Sequence, residues 1–167
     1  VADADDFAGV GWGEEGTVRR LLPSTIQIKV VQRPPVAVWQ SGGVLRVIDR
    51  EPFTVGGETI VPIPLLHGSM PVLGFRFGRF AYCTDCSRIP EESLDLLGDL
   101  EVLVLDALRP KPHPTHFSVE QAVDMARRIG AGRTYFTHMA HQLKHAETNR
   151  GLPSGMELAY DGLRFSA

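Results

Sequence analysis

The residues with chemistry to offer in this chain are histidines and aspartates. All six histidines lie at or after position 67, and five of them fall between positions 113 and 145. His67 ends the run Ile60-Val61-Pro62-Ile63-Pro64-Leu65-Leu66, Asp85 follows Phe80-Ala81-Tyr82-Cys83-Thr84, and His138 follows Thr134-Tyr135-Phe136-Thr137. Each run is strand-like, and loops at strand ends are where α/β proteins gather polar groups for chemistry. Imidazole and carboxylate together suit zinc, manganese or iron(II). No H-E-x-x-H and no paired C-x-x-C occurs, so spacing alone leaves a metal site and an ordinary polar sheet edge both open. His113 and His116 enclose Pro114-Thr115. That stiff loop is either a plain lead into the next helix or a mount for a proton donor, a task that suits the untuned pKa of histidine. A Ser–His–Asp triad is the other class. Ser69 lies near His67, but no G-x-S-x-G elbow surrounds it.

Strands and helices must bring these residues together. Ile26 to Val30 alternates apolar and polar residues, as a half-buried strand does, and Pro34-Pro35 stops it. Val36 to Trp39 and Val44 to Ile48 read as short strands, and Val18 to Leu22 as one helical turn before Pro23. Phe53 to Val55, Gly56-Gly57 and Glu58 to Ile60 form a hairpin pattern, with its second strand running on to His67. Pro62 and Pro64 suit an edge or irregular pairing. A second hairpin turns at Gly78-Arg79. A helix starts at Pro90 and stops at Gly98. Val102 to Leu105 is continuously apolar, as in a strand buried on both faces. Ser118 and Gln121 make a capping box, the apolar residues from Val119 to Ile129 fall on one face, and Gly130 closes that helix. Residues 144–150 read as a short helix, and Glu157 to Phe165 as a closing type I′ hairpin around Asp161-Gly162.

The bulk properties set further bounds. The 167 residues suit one domain, 1–167, with 1–45 poorly assignable. A net charge of −3 argues against a general nucleic-acid-binding face, though not against a small phosphorylated substrate. No apolar run is long enough to span a membrane. The acidic start Val1-Ala2-Asp3-Ala4-Asp5-Asp6 is no signal peptide, and the missing initiator Met suggests a trimmed start. Cys83 and Cys86 form C-x-x-C, but no helix opens there and a second ligand pair is missing, so they read as small apolar residues flanking a turn. The expected location is cytoplasmic.

From about Pro52 to Gly162 the chain resembles the second half of a metallo-β-lactamase-fold hydrolase. The branch it looks most like contains the phosphoribosyl cyclic phosphodiesterase of phosphonate breakdown and is similar to ribonuclease Z. The stretches that carry the likeness are residues 62–68, 80–85, Val104-Leu105-Asp106-Ala107-Leu108-Arg109, Pro112-His113-Pro114-Thr115-His116-Phe117-Ser118 and Tyr135-Phe136-Thr137-His138-Met139-Ala140-His141. The resemblance implies an α/β (αββα-type) fold, seen here as a C-terminal half or truncated version over 52–165, with a mixed sheet and flanking helices. It implies that His67 and His138 are metal ligands and that Asp85 bridges two metals. It implies that His116, or else His113, assists the leaving group, that His141 lines the site and that Arg109 holds a phosphate oxygen.

The family signature H-x-H-x-D-H should stand upstream, yet no histidine precedes position 67. Its nearest counterpart is the stretch from Val1 to Val10, where Asp3, Asp5 and Asp6 would take ligand positions and favour manganese or magnesium over zinc. The expected cofactor is therefore a divalent metal, manganese or zinc, two per chain if the site is intact. The implied function is metal-dependent hydrolysis of a phosphodiester. The alternative is a truncated or decayed relative acting as a binding or oligomerisation module. An uncovered apolar sheet face would favour a homo-oligomer.

Overall fold

The computed structural model of the chain describes residues 13–21, 25–32, 37–41, 44–48 and 50–166, the first four stretches by their backbone. Asp3, Asp5 and Asp6 lie outside the described residues. Close contacts divide the chain between residues 49 and 50. In the first unit β1 (Gly13–Leu21) pairs antiparallel with β2 (Thr25–Gln32), and β3 (Ala37–Ser41) with β4 (Val44–Ile48). Of the helical turn expected at residues 18–22, the described residues 18–21 are instead strand, with Val18 opposite Ile28. One isolated turn fixes several residues for a single hydrogen bond, whereas the ladder with β2 pairs the whole segment.

The second unit is a mixed seven-stranded sheet in the order β11-β10-β9-β8-β7-β6-β5. Its strands are β5 (Phe53–Val55), β6 (Glu58–His67), β7 (Met70–Phe77), β8 (Phe80–Cys83), β9 (Val102–Asp106), β10 (Arg133–Thr137) and β11 (Met156–Leu158). The pairs from β5 to β8 are antiparallel, and those from β8 to β11 are parallel. Two successive reversals make β6 run the same way as β8, β9 and β10. The C-terminal ends of all four strands therefore share one edge, and His67, Asp85, Asp106 and His138 stand at or just past those ends.

Glycine makes the turns possible. Gly56 and Gly57 both have positive φ, as a type I′ turn between β5 and β6 requires. The turn from β6 to β7 is tight, because β7 begins at Met70, directly opposite His67. The two prolines of β6 fall where the ladder with β7 does not need them. Leu66 directs its N–H and C=O to Arg88 and Ser87, and the Pro64 carbonyl accepts from Ser93 Oγ at 2.7 Å. Alternate residues of a strand point their backbone groups to the same side, so Pro62 and Pro64 withhold donors from the side away from β7.

β9 is buried along its whole length. Leu103 and Leu105 enter the main core with Ile63, Leu65, Ala81 and Phe136, while Val102 and Val104 enter a second cluster with Tyr135, Phe80 and Phe165. Full burial of each leucine contributes about 1.5–3 kcal/mol. α2 (Val119–Ile129) packs Ala122, Val123 and Ala126 into the main core. Its capping box at Ser118 and Gln121 is formed, and Gly130 closes it in the left-handed region. α1 (Glu91–Leu94) is one turn followed by a 3-10 turn, Asp95–Leu97, and Pro90 is its N-cap rather than its first residue. α3 spans His145–Gly151.

The closing hairpin is not formed. β11 adds parallel to β10, and the segment after Gly162 is not a strand. A type I′ turn needs positive φ at both central residues, but only Gly162 of the pair has it. Phe165 instead stacks on Tyr135, ring centroids 5.3 Å apart. Cys83 and Cys86 are buried free thiols. Burial pushes the Cys83 thiol up to about 12 and Cys86 higher still.

Candidate metal centre

Four histidines and two aspartates meet at the shared strand edge. His67 Nε2 lies 3.2 Å from His116 Nε2. His138 Nε2 lies 3.0 Å from Asp85 Oδ1. The rings of His116 and His138 stack with centroids 4.7 Å apart, and His113 stands 5.2 Å from His116. One donor atom from each of Asp85, His116 and His138 lies within 4.8 Å of the others.

The backbone is bent to make this convergence. Asp85 has φ 55° and His138 has φ 59°, in the left-handed region that non-glycine residues seldom enter. Each such residue costs about 1 kcal/mol or more, and strain of this kind collects at functional sites. Gly68 follows His67 with φ 64°, and a Cβ there would come within 3.0 Å of Thr115 Cγ2. Only glycine lets the β6–β7 turn pack against the loop that carries His113 and His116. Ser87 Oγ accepts from Gly68 N at 3.0 Å and holds that turn in place.

Asp106 is the member that sequence reasoning missed. Its side chain is 0% exposed. Oδ2 accepts from His116 Nδ1 at 3.1 Å and from the backbone N–H groups of Cys86 and Phe117 at 3.3 Å. Oδ1 has no hydrogen-bond partner among the described residues. Burial pushes the carboxyl above its ordinary range, against the opposing pull of His116. A carboxylate on Nδ1 fixes the His116 tautomer and turns Nε2 toward His67 and His138. The signal was available, because Asp106 ends a buried strand just as His67 ends β6.

The other expected residues divide. His113 joins the cluster, with Nδ1 bonded to Thr115 at N and Oγ1. Partial desolvation, followed by the nearby Arg109 charge, holds its pKa below the ordinary value. Arg109 donates from Nε to Lys111 O at 3.1 Å and from Nη2 to Pro112 O at 2.8 Å, so it braces the loop leading to His113. His141 is exposed one turn beyond His138 and is not among the converging donors. His145 is tied to the carbonyls of Leu158 and Ala159.

The donor set fits a divalent cation. Zinc–nitrogen bonds of about 2.0–2.1 Å at a tetrahedral angle put two ligand atoms roughly 3.3 Å apart. The His138–Asp85 separation, 3.0 Å, is close to that value. Nitrogen and carboxylate donors suit zinc, manganese or iron.

Residues 14–139 match the family model of the beta-lactamase superfamily domain. The chain belongs to that superfamily and has the α/β fold of its metallo-β-lactamase hydrolases. The match begins well upstream of Pro52, where the sequence resemblance started. A crystal structure described as a new diphosphatase from the PhnP family is 47% identical, with a TM-score of 0.70 over 71% of this chain and 46% of that one. The metallo-beta-lactamase fold protein YhfI from Bacillus subtilis shares the fold at 19% identity, with a TM-score of 0.61 over 71% of this chain and 54% of that one. An octanoyltransferase from Porphyromonas gingivalis is 35% identical over 114 residues, which are 67% of this chain and 23% of that protein. The chain thus spans about a quarter of that curated relative and about half of each solved one. Among the described residues no helix is long and apolar enough to cross a membrane.

Proposed function

We propose that this chain carries the active-site edge of a metal-dependent phosphodiesterase acting on a small phosphorylated substrate. The observation that carries the reading is the convergence of Asp85, His116 and His138 donor atoms within 4.8 Å, with His67 beside them. Asp85 and His138 would hold the cation, with His67 at the neighbouring strand end as a further ligand, and the chemistry a divalent cation would supply there is neutralisation of phosphate charge and acidification of a water. Asp3, Asp5 and Asp6 remain candidates for further ligation. The likeness to a PhnP-family diphosphatase, at 47% identity, supports a phosphorus–oxygen bond as the one broken.

His116 moves the proton. The Asp106 carboxylate holds Nδ1–H, so Nε2 is the atom that takes up a proton and returns it to the leaving oxygen. Asp106 stabilises the imidazolium formed in between. His113, held below its ordinary pKa by partial desolvation and then by the Arg109 charge, is biased toward the neutral imidazole.

The test is hydrolysis of a nucleoside 2′,3′-cyclic phosphate, whose alkoxide leaving group needs a proton, by the chain supplied with manganese or zinc. His116→Ala should lower kcat by about 100-fold or more, as loss of a general acid does. Equal turnover by wild type and His116→Ala would remove the reading.

A further inference from the structure

His113 and His116 share one loop, with ring centroids 5.2 Å apart, and their hydrogen bonds set them in opposite tautomers. The Asp106 carboxylate lies on His116 Nδ1, so the proton is held there and Nε2 is bare. For His113 the roles of the two nitrogens are exchanged. Its Nδ1 receives the Thr115 backbone N–H at 3.3 Å and lies 3.2 Å from Thr115 Oγ1. A backbone N–H can only donate, so His113 Nδ1 is the acceptor. A neutral imidazole with a bare Nδ1 carries its proton on Nε2. That Nε2 has no protein partner among the described residues.

The loop holds His113 in this arrangement. Pro112 and Pro114 flank it and restrict the backbone on both sides. Arg109 braces the approach through the carbonyls of Lys111 and Pro112. Thr115 is in turn packed against Gly68, where an added Cβ would come within 3.0 Å of Thr115 Cγ2. A donor fixed in advance stabilises developing charge without reorganising when the charge appears.

We infer that His113 is a further catalytic residue, a fixed neutral donor whose Nε2–H meets a non-bridging phosphoryl oxygen as negative charge builds on it. The inference rests on the phosphodiesterase reading of the cluster. His116 moves a proton, whereas His113 keeps its own. One loop thus supplies both the proton carrier and the oxyanion donor, and the partner on Nδ1 decides which histidine is which: a carboxylate for His116, a backbone N–H for His113.

Three variants separate the donor from the loop. His113→Gln places an amide N–H near the position of Nε2–H. His113→Asn keeps a carbonyl that can accept from Thr115 N but has no donor at the Nε2 position, and His113→Ala has neither. The assay is hydrolysis of a nucleoside 2′,3′-cyclic phosphate with manganese or zinc. The Asn and Ala variants should lose about 100-fold in kcat, as removal of one oxyanion donor does, with KM within about threefold of wild type. The Gln variant should stay within about tenfold of wild type. A role confined to holding the loop gives the reverse order, with Asn near wild type, and that order overturns the proposal. So does an Ala variant as fast as wild type, or a Gln variant as slow as Ala.

The tautomer is read without turnover. ¹H–¹⁵N spectra of the imidazoles at neutral pH should show the His113 proton on Nε2 and the His116 proton on Nδ1. A His113 proton on Nδ1 overturns the proposal whatever the turnover. If wild type hydrolyses nothing, the phosphodiesterase reading fails, and inorganic phosphate titrated into the metal-loaded chain decides the donor. A saturable shift of the His113 Nε2 resonance keeps it, and the absence of a shift overturns it.

Discussion

Replacing Asp106 separates what its carboxylate does for the fold from what it does for His116. The side chain is wholly buried and serves three donors: the N–H groups of Cys86 and Phe117 at 3.3 Å and His116 Nδ1 at 3.1 Å. Asp106→Ala strands all three. A buried unsatisfied donor costs about 1–3 kcal/mol, and bonds this long belong at the low end, near 1 kcal/mol each. Release of a desolvated carboxylate offsets part of the total. The net loss is about 2–3 kcal/mol, or roughly a 10 °C fall in Tm for a domain of this size. Asp106→Asn keeps an acceptor for the donors at Oδ2 but places a buried amide where Oδ1 has no partner, so it should cost about 1 kcal/mol, less than Ala. Its effect falls on His116 instead, where loss of a carboxylate partner typically lowers activity about 10- to 100-fold. Thermal unfolding by circular dichroism and ¹⁵N spectra of the imidazoles read the two effects apart. An Ala variant as stable as wild type, or an Asn variant as unstable as Ala, would refute the reasoning.

Two other predictions concern the surroundings of the site. Gly68→Ala should cost about 1–3 kcal/mol, because φ 64° strains a Cβ that would also meet Thr115 Cγ2 at 3.0 Å; a chemical-denaturation midpoint equal to wild type would contradict it. The buried thiols should make stability fall at alkaline pH. The folded pKa of Cys83, about 12, lies above its ordinary 9.0, so the folded state favours the protonated thiol. That contribution is complete below pH 9.0 and is lost as pH rises toward 12. Urea midpoints from pH 8 to 10.5 should decline less in Cys83→Ala than in wild type, and parallel declines would count against the assignment.

The elements that could be read from sequence are those whose signals are local. α2 declares itself through Ser118, Gln121 and Gly130, and all three do what their types suggest. β9 shows in its unbroken apolar run, and the β5–β6 hairpin in Gly56-Gly57. The misread elements depend on partners far along the chain. β1 contains Gly13 and Gly16 and is a strand because β2 pairs with it. β11 joins the sheet beside β10 rather than folding back on its own continuation. The site divides in the same way. His67, Asp85 and His138 were legible as strand-end residues of ligand type. Asp106 shared that position, but its inward direction and its grip on His116 follow from the register of β9 between β8 and β10.

Metal content is the most direct measure of the central claim. The chain would be purified without added metal or chelator, then exposed to manganese or zinc and desalted, with elemental mass spectrometry giving ions per chain and circular dichroism confirming the fold. The account predicts at least one tightly held divalent cation in wild type, lost in His138→Ala and in Asp85→Asn while both stay folded. A folded wild-type chain that takes up no metal, or variants that hold as much as wild type, would contradict it.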